Sequence, residues 1–259
     1  MMASSATGTA AGQHTKPNAI DRVEGFVLFA FAVSIAAFVM TGRFIAFVTP
    51  RTVPYLWFAA AVLLIFAVTA WLGVFRCTGA SLANVLVVGL LPTLLLSLPF
   101  DSGGAALTGT NRAIAINSSA SAKLPGLNVA AKTITIRDDD FGSWFDRIDR
   151  NADQYVGYTI IVEGSVSHDS SLNASQFSVS RMLMTCCVLD MTPFGFVVDT
   201  SSNSTSSPTT MPKDNTWVRV TGTLAKGRVG TASHGYNGLI LQAKSIQTKD
   251  ESPNGYFYR

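Results

Sequence analysis

The first hundred residues contain three long apolar stretches with almost no charged side chains. Residues 53–75 and 80–100 carry no Asp, Glu, Lys or Arg, and residues 25–48 carry only Arg43. A helix rises about 1.5 Å per residue, so each stretch is long enough to cross a hydrocarbon layer ~30 Å thick. Arg43 can snorkel to the far interface. The pattern predicts three transmembrane helices that form a domain over residues 25–100.

The residues before these stretches have a different character. Residues 1–24 are mostly small and polar, which is typical of a disordered tail. A cleaved signal peptide is the competing interpretation of the first apolar stretch. It is disfavoured because Arg43 follows the stretch, no small-x-small cleavage site is evident, and two further apolar stretches come after it.

After Phe100 the chain loses its long apolar runs. Residues 101–132 show no sustained period and are typical of a linker. Residues 133–259 alternate apolar and polar positions over several short segments, as half-buried strands do, and show one helical pattern after the aspartates at 138–140. Five or six short strands with one helix predict a small, mainly-β barrel of OB-like type, with a β-sandwich as the alternative. The expected fold class is an α+β membrane protein with a soluble β-rich domain.

Composition and charge sharpen this division. The chain is 48% hydrophobic, which is high for an ordinary soluble domain and agrees with membrane helices. Residues 101–259 carry fourteen Lys or Arg and fourteen Asp or Glu, so the net charge of +3 arises in the N-terminal part. Because phosphate binding needs an excess of basic residues, we expect no nucleic-acid partner.

The basic residues around the apolar stretches predict an orientation. With the N-terminus in the cytoplasm, Lys16, Arg22 and Arg76 lie inside and Arg43 and Arg51 outside, which agrees with the positive-inside rule. Three spans then place the C-terminal domain outside. We therefore expect a multi-pass protein of the cell membrane, surrounded by the lipid bilayer, with an extracytoplasmic β domain.

Two of the three cysteines are adjacent, in the stretch RMLMTCCVLDMTP. On a strand, neighbouring side chains point to opposite faces, so Cys186 would share a face with Met182 and Met184. Thiolate and thioether groups select Cu(I) and other soft ions, which makes a metal site one interpretation. The other interpretation is a core face of methionine and cysteine. In that case the functional role falls to Cys187 together with Arg181.

Opposite charges flank the cysteine pair. Arg181 can raise the thiolate fraction of a cysteine or bind an anion, while a structural salt bridge is the alternative, and the residues leave this choice open. Asp190 precedes a turn, which favours a structural role for its carboxylate. A disulfide between neighbouring cysteines closes a strained ring, so it suits a redox switch better than a structural staple. No nucleophile–base arrangement or nucleotide loop is readable, and we do not expect an enzyme.

Several motifs together resemble one known family. They are PYLWFAAAVLL and LPTLLLSLPF in the apolar part, and YVGYTIIVEGSV, R-x4-CC-x2-D, WVRVTGTL and P-x-x-Y-x-Y in the polar part. In these the chain resembles the YcgQ-type bacterial membrane proteins, a family of permease subunits without an assigned reaction. The resemblance implies a membrane bundle, a C-terminal β domain and a larger polytopic permease as partner. Two departures are the loop FRCTGAS, which lacks the histidines of some relatives, and Met191, where relatives commonly have a small residue.

Three functions remain open from the sequence. The first is an auxiliary subunit of a membrane permease, whose β domain binds a ligand or regulates transport. The second is a metal-handling or thiol-redox membrane protein that uses Cys186 and Cys187 with a thiophilic metal ion. The third is a ligand-binding β domain tethered to the membrane.

Overall fold

The structure is a computed structural model that describes residues 19–74, 79–97, 112–119, 123–201, 211–250 and 255–259. The chain forms two compact units. One comprises Met1–Phe44 with Arg51–Asp101, and the other comprises Ile45–Pro50 with Ser102–Arg259. Residues 1–18 of the predicted disordered tail lie outside the described residues, whereas residues 19–24 form the start of a helix and are not a tail. We call the two units the helical unit and the β unit.

Among its described residues the helical unit contains three α-helices, α1 (Ala19–Met40), α2 (Val53–Trp71) and α3 (Gly79–Ser97). Within the described residues, two segments are long and apolar enough to cross a membrane, Ala19–Met40 and Pro50–Trp71. About 17% of each is buried, which is low for the core helix of a soluble domain.

Of the three expected membrane spans, two correspond to candidate spans in the described part of the chain. The third predicted span is helical as α3, but it is not among the two candidate spans. Pro92 lies inside α3, and the last three residues of the predicted span, 98–100, lie outside the described residues. The structure therefore supports two apolar helices that can cross a membrane.

A tryptophan holds α1 against α2. The indole nitrogen of Trp71 donates a hydrogen bond to the carbonyl of Arg22 at 3.3 Å, and its ring lies 5.7 Å from that of Phe29. A Cβ at Gly25 would stand 2.5 Å from the same indole ring, so glycine is the residue that lets the two helices approach here.

In the segments that the structure describes, the β unit has nine strands and two α-helices. The strands are β1 (Ala113–Ala115), β2 (Leu127–Asn128), β3 (Thr133–Thr135), β4 (Thr159–Ser167), β5 (Gln176–Leu183), β6 (Thr192–Asp199), β7 (Trp217–Val229), β8 (Tyr236–Thr248) and β9 (Tyr256–Tyr258). The helices are α4 (Phe141–Arg150) and α5 (Ala152–Tyr155).

Five of these strands close into a barrel. Strand β4 pairs antiparallel with both β5 and β7, β5 pairs antiparallel with β6, and β7 pairs antiparallel with β8. A parallel contact between β6 and β8 completes the ring. The prediction of an α+β chain with a small β barrel is confirmed, and the alternative of a β-sandwich is wrong.

Two short strands extend the sheet into the segment interpreted as a linker, residues 101–132. Strand β1 pairs with β9 near the C-terminus, and β2 pairs with β3. Strands of two or three residues are too short to show a period of two. Their partners, and not their own pattern, make them strands.

Helix α4 packs one face against the barrel interior, as its spacing predicts. Phe141, Trp144 and Ile148 are each at most 1% exposed. Phe145 on the same face is partly buried and makes edge contacts with Phe194. Full burial of a large apolar side chain stabilises a fold by roughly 1.5–3 kcal/mol, so this helix is part of the core.

Candidate metal centre

The two cysteines lie in the loop between β5 and β6. Strand β5 ends at Leu183, and a 3-10 turn spans Val188–Asp190. The expectation that the strand continues through the cysteines, with alternating faces, is therefore wrong. After Met184 donates its backbone N–H to Phe257, the next two N–H groups turn away from the sheet.

Those two N–H groups are satisfied by one carboxylate. Asp190 accepts the backbone N–H of Thr185 at 2.9 Å and that of Cys186 at 2.6 Å. Its own N–H donates to the carbonyl of Cys187 at 3.0 Å. Asp190 therefore closes the loop by the turn hydrogen bonds that its position before Thr192 indicates.

A second segment of the β unit, Ile45–Pro50, holds the other side of the loop. Val48 forms an isolated antiparallel bridge with Cys187, and Val188 donates its N–H to the carbonyl of Phe47 at 2.8 Å. The backbone around the cysteines is thus fixed from two directions. The two side chains are left available for other chemistry.

The loop brings three ligand atoms together. The Sγ atoms of Cys186 and Cys187 and a carboxylate oxygen of Asp190 all lie within 4.8 Å of one another. Both cysteines are free thiols, with Cys186 exposed and Cys187 partly exposed. Tetrahedral zinc bound by two sulfurs and an oxygen needs ligand atoms about 3.5–3.8 Å apart, so small side-chain rotations bring this set to binding distance.

The carboxylate also controls the protonation of the nearest thiol. A hydrogen bond to Asp190, and then one to Cys187, raises the pKa of Cys186 to about 11. The hydrogen bond from Cys186 in turn holds the pKa of the Asp190 carboxyl below its usual value. At neutral pH Cys186 is therefore a protonated thiol and a poor nucleophile, whereas a bound cation would favour the thiolate.

Met182 and Met184, the methionines that the alternation places beside Cys186 as possible soft ligands, lie elsewhere. Met184 is 0% exposed, and its side chain is part of the protein interior. Met182 is partly buried and stands opposite Pro193 in the β5–β6 ladder. Cys186, which the alternation placed on a core face beside them, is exposed instead, because the strand ends before it.

Arg181 lies in the barrel and not in the cysteine loop. It is 6% exposed and forms a close ion pair with Asp138, while its Nε donates to the carbonyl of Glu163 at 3.2 Å. Its guanidinium carbon lies 4.2 Å from the ring centre of Trp217 and 5.5 Å from that of Phe141. Burial lowers the pKa of Arg181, and the charge of Asp138 opposes that shift.

Two contributors, one to the surroundings of Arg181 and one to the cysteine loop, were not predicted from the sequence. Asp138 looked like part of an acidic helix start, and only the fold shows that it faces Arg181. The segment Ile45–Pro50 carries no polar motif that would link it to residues more than a hundred positions away. The segment supports the cysteine loop through backbone groups. Because every residue carries such groups, the residue types in the segment do not predict this role.

Together these features define the class: an α+β protein with apolar helices, a five-stranded barrel and a vicinal-cysteine loop. Two family models match this chain. They are the DUF1980 N-terminal domain, over residues 23–81, and the DUF1980 C-terminal domain, over residues 115–259. The chain belongs to the DUF1980 family.

Other comparisons add little. No curated protein matches the chain. A solved structure of the mitochondrial single-stranded DNA binding protein Rim1 from S. cerevisiae aligns with 13% identity, over 36% of this chain and 94% of that chain. Its TM-score of 0.21 is too low to support an argument about fold or function.

The buried ion pair predicts a difference between two neighbouring aspartates. Asp138→Asn leaves the Arg181 guanidinium buried without its counter-charge, and we expect the free energy of unfolding to fall by about 1–3 kcal/mol. Asp139→Asn is the matched control, because the Asp139 side chain is 64% exposed and forms an ion pair with the exposed Arg112. That change should cost under ~0.5 kcal/mol. Urea unfolding of the full chain, followed by tryptophan fluorescence, measures both, and equal losses would contradict a structural role for Arg181.

Proposed function

We propose that this protein is a metal-handling auxiliary subunit of a membrane permease, and that Cys186, Cys187 and Asp190 bind a thiophilic metal ion. The observation that carries the proposal is the approach of two thiols and one carboxylate to within 4.8 Å on a loop whose backbone is held in place. A loop that needs only the backbone and one carboxylate for its shape has no structural use for two accessible thiols.

The donor set favours an ion that accepts both sulfur and oxygen. Zinc binds thiolates and carboxylates, while Cu(I) prefers sulfur alone, so Zn²⁺ is the first candidate. Three protein ligands leave one position for water or for a donor from another molecule. Structural zinc sites are closed by four protein ligands, whereas an open position and an exposed Cys186 suit an ion that is exchanged with a partner.

The protonation of Cys186 disfavours the thiol-redox alternative. A redox-active cysteine needs a low thiol pKa, and here hydrogen bonds to Asp190 and Cys187 raise the pKa of Cys186 to about 11. Metal binding is compatible with this value, because the cation displaces the thiol proton.

A permease partner is supported by the resemblance to the YcgQ-type proteins and by the two apolar helices, α1 and α2. Two or three apolar helices cannot form a solute pathway without polar groups that face one another, so a second, larger membrane protein would supply it. In this proposal the β unit delivers or receives the ion that the permease moves.

We also propose that the β unit lies outside the cytoplasmic membrane. Besides the distribution of Lys and Arg, the order of the chain supports it: Ile45–Pro50 follows α1, and by compactness it belongs to the β unit. If α1 and α2 both cross the bilayer, the chain after α2 lies on the side of the membrane opposite to Ile45–Pro50. The barrel can share a side with Ile45–Pro50 only if the chain crosses once more, and α3 is available for that crossing. We therefore propose that α3 is a third membrane span, as the sequence predicts.

Metal binding is tested on the full chain in detergent micelles. Titration with Zn²⁺ alone, and separately with Cu(I) alone, should give one equivalent of bound ion for at least one of them. Cys186→Ser and Cys187→Ser should each weaken binding at least tenfold, while Cys77→Ser is the matched control that leaves it unchanged. Because each of the two thiols releases its proton when it binds the ion as a thiolate, the apparent Kd should rise by up to about a hundredfold for each unit by which pH falls between 8 and 6.

Two results would contradict the proposed metal site. One is an affinity independent of pH. The other is a cysteine variant that keeps the midpoint of thermal unfolding and still binds the ion with full affinity.

The partner is tested by affinity purification of the tagged full chain from solubilised membranes. We expect a polytopic membrane protein to be retained in a stoichiometric ratio. Isolation of the chain alone, under conditions in which its own metal binding persists, would refute the subunit proposal without touching the metal site.

The location of the β unit is tested by cysteine labelling of intact cells. In a chain without its native cysteines, Leu189→Cys places a thiol at a side chain that is 92% exposed, and a membrane-impermeant maleimide should label it. Val74→Cys, just after α2, should be labelled only after permeabilisation. The reverse pattern would place the β unit in the cytoplasm.

A further inference from the structure

The barrel surface carries a second concavity that the metal proposal does not use. Its volume is about 220 Å³, and the side chains used below are Asp169, Ser171, Ser178, Val197, His234 and Tyr236. Pockets for drug-sized ligands hold roughly 300–1,000 Å³, so this one suits a smaller group, about the size of a single sugar ring.

The concavity has a defined place in the barrel. In chain order the five closing strands are β4, β5, β6, β7 and β8, and around the ring they follow the order first, second, third, fifth, fourth. We take this as an OB-type barrel. Ser178 and Val197 face each other across the second and third strands. Asp169 and Ser171 lie in the loop after the first strand, His234 lies in the loop after the fourth, and Tyr236 is the first residue of β8. In OB-type barrels this face and these loops hold oligosaccharides or oligonucleotides.

A buried glutamine at the start of β5 holds the end of β7, where one of the two wall-forming loops begins, and a backbone bond joins the two loops. Gln176 is 1% exposed; its amide nitrogen donates to the carbonyl of Arg228 at 2.7 Å, and its amide oxygen accepts the N–H of Gly230 at 2.9 Å. A further bond joins the N–H of Thr231 to the carbonyl of Ser171 at 3.2 Å. These bonds fix the spacing of the walls before any ligand arrives, which lowers the entropy cost of binding.

The lining chemistry distinguishes between the two ligand classes. Asp169 accepts the N–H of Ser171, and this bond keeps the pKa of its carboxyl below the usual value, so the group is ionised at neutral pH. Among the described residues that line the concavity there is no Lys or Arg. A carboxylate in the lining repels a phosphate backbone, whereas it is a good acceptor for hydroxyl groups.

An exposed aromatic ring completes the set. Tyr236 is 64% exposed at the edge of the concavity, and Ser178 and His234 offer further hydrogen-bonding groups. An aromatic platform beside a carboxylate and hydroxyls can hold a ring that has one apolar face and a rim of hydroxyls.

We propose that this concavity binds one ring of a neutral oligosaccharide. Tyr236 stacks on the ring, Asp169 accepts hydrogen bonds from its hydroxyls, and Ser178 accepts or donates hydrogen bonds there. The β unit would then recognise a glycan while its cysteine loop handles the metal ion. The two sites share no residue, so each can fail without the other.

The test uses the full chain in a detergent without a sugar headgroup. Isothermal titration with maltotriose, cellotriose and triacetylchitotriose, each alone, should show binding of at least one. Tyr236→Ala and Asp169→Asn should each weaken it at least tenfold, while Tyr236→Phe, which keeps the ring, should retain most of it. Asp153→Asn, at an exposed aspartate of α5, is the matched control and should change nothing.

Three outcomes would overturn the proposal. The first is the absence of binding by all three sugars at millimolar concentration to protein with an unchanged unfolding midpoint. The second is equal affinity in the wild type and in Tyr236→Ala. The third is tight binding of a (dT)15 oligonucleotide that Tyr236→Ala abolishes, which would assign the face to nucleic acid. Cys186→Ser should leave sugar binding intact, which separates this result from that of the metal proposal.

Discussion

Closure of the barrel around β5 is the constraint on which the rest of the β unit depends. This strand pairs with β4 on one side and β6 on the other, so its position and register are fixed along its length. Gln176 at its start organises the walls of the concavity, Arg181 in its middle anchors Asp138, and the cysteine loop leaves from its end. One strand therefore positions both candidate sites, and any slip in its register would displace them together.

Within the loop, one carboxylate has two consequences. Asp190 satisfies the backbone N–H groups of Thr185 and Cys186, and the same negative charge keeps the Cys186 thiol protonated. In the free chain the Cys186 thiol is therefore held in its less reactive, protonated form. In the proposed metal site, a bound cation would offset the charge of Asp190 and favour the thiolate of Cys186.

Sequence patterns predict a helix or strand well where the pattern is long. They predict it poorly where a hydrogen-bonding partner decides whether the strand forms and where it ends. The amphipathic face of α4, with Phe141 and Trp144, and the alternating strand β4 follow directly from their periods. The cysteine stretch extends the same alternation past Leu183, but the strand ends there because Asp190 offers the next N–H groups a better acceptor. Likewise β1 and β2, in a segment without periodicity, are strands only because their partners are present.

The sequence by itself determined the division into apolar helices and a β barrel, the charge balance that disfavours nucleic acid, and the residue types at the cysteine loop. These follow from composition and period, which are local properties. Only the tertiary structure decided that Arg181 faces Asp138, that Ile45–Pro50 braces the loop, and that Asp169 and Tyr236 share a concavity. Each of these joins residues far apart in the chain, and such pairings are set by barrel closure, which no local pattern encodes.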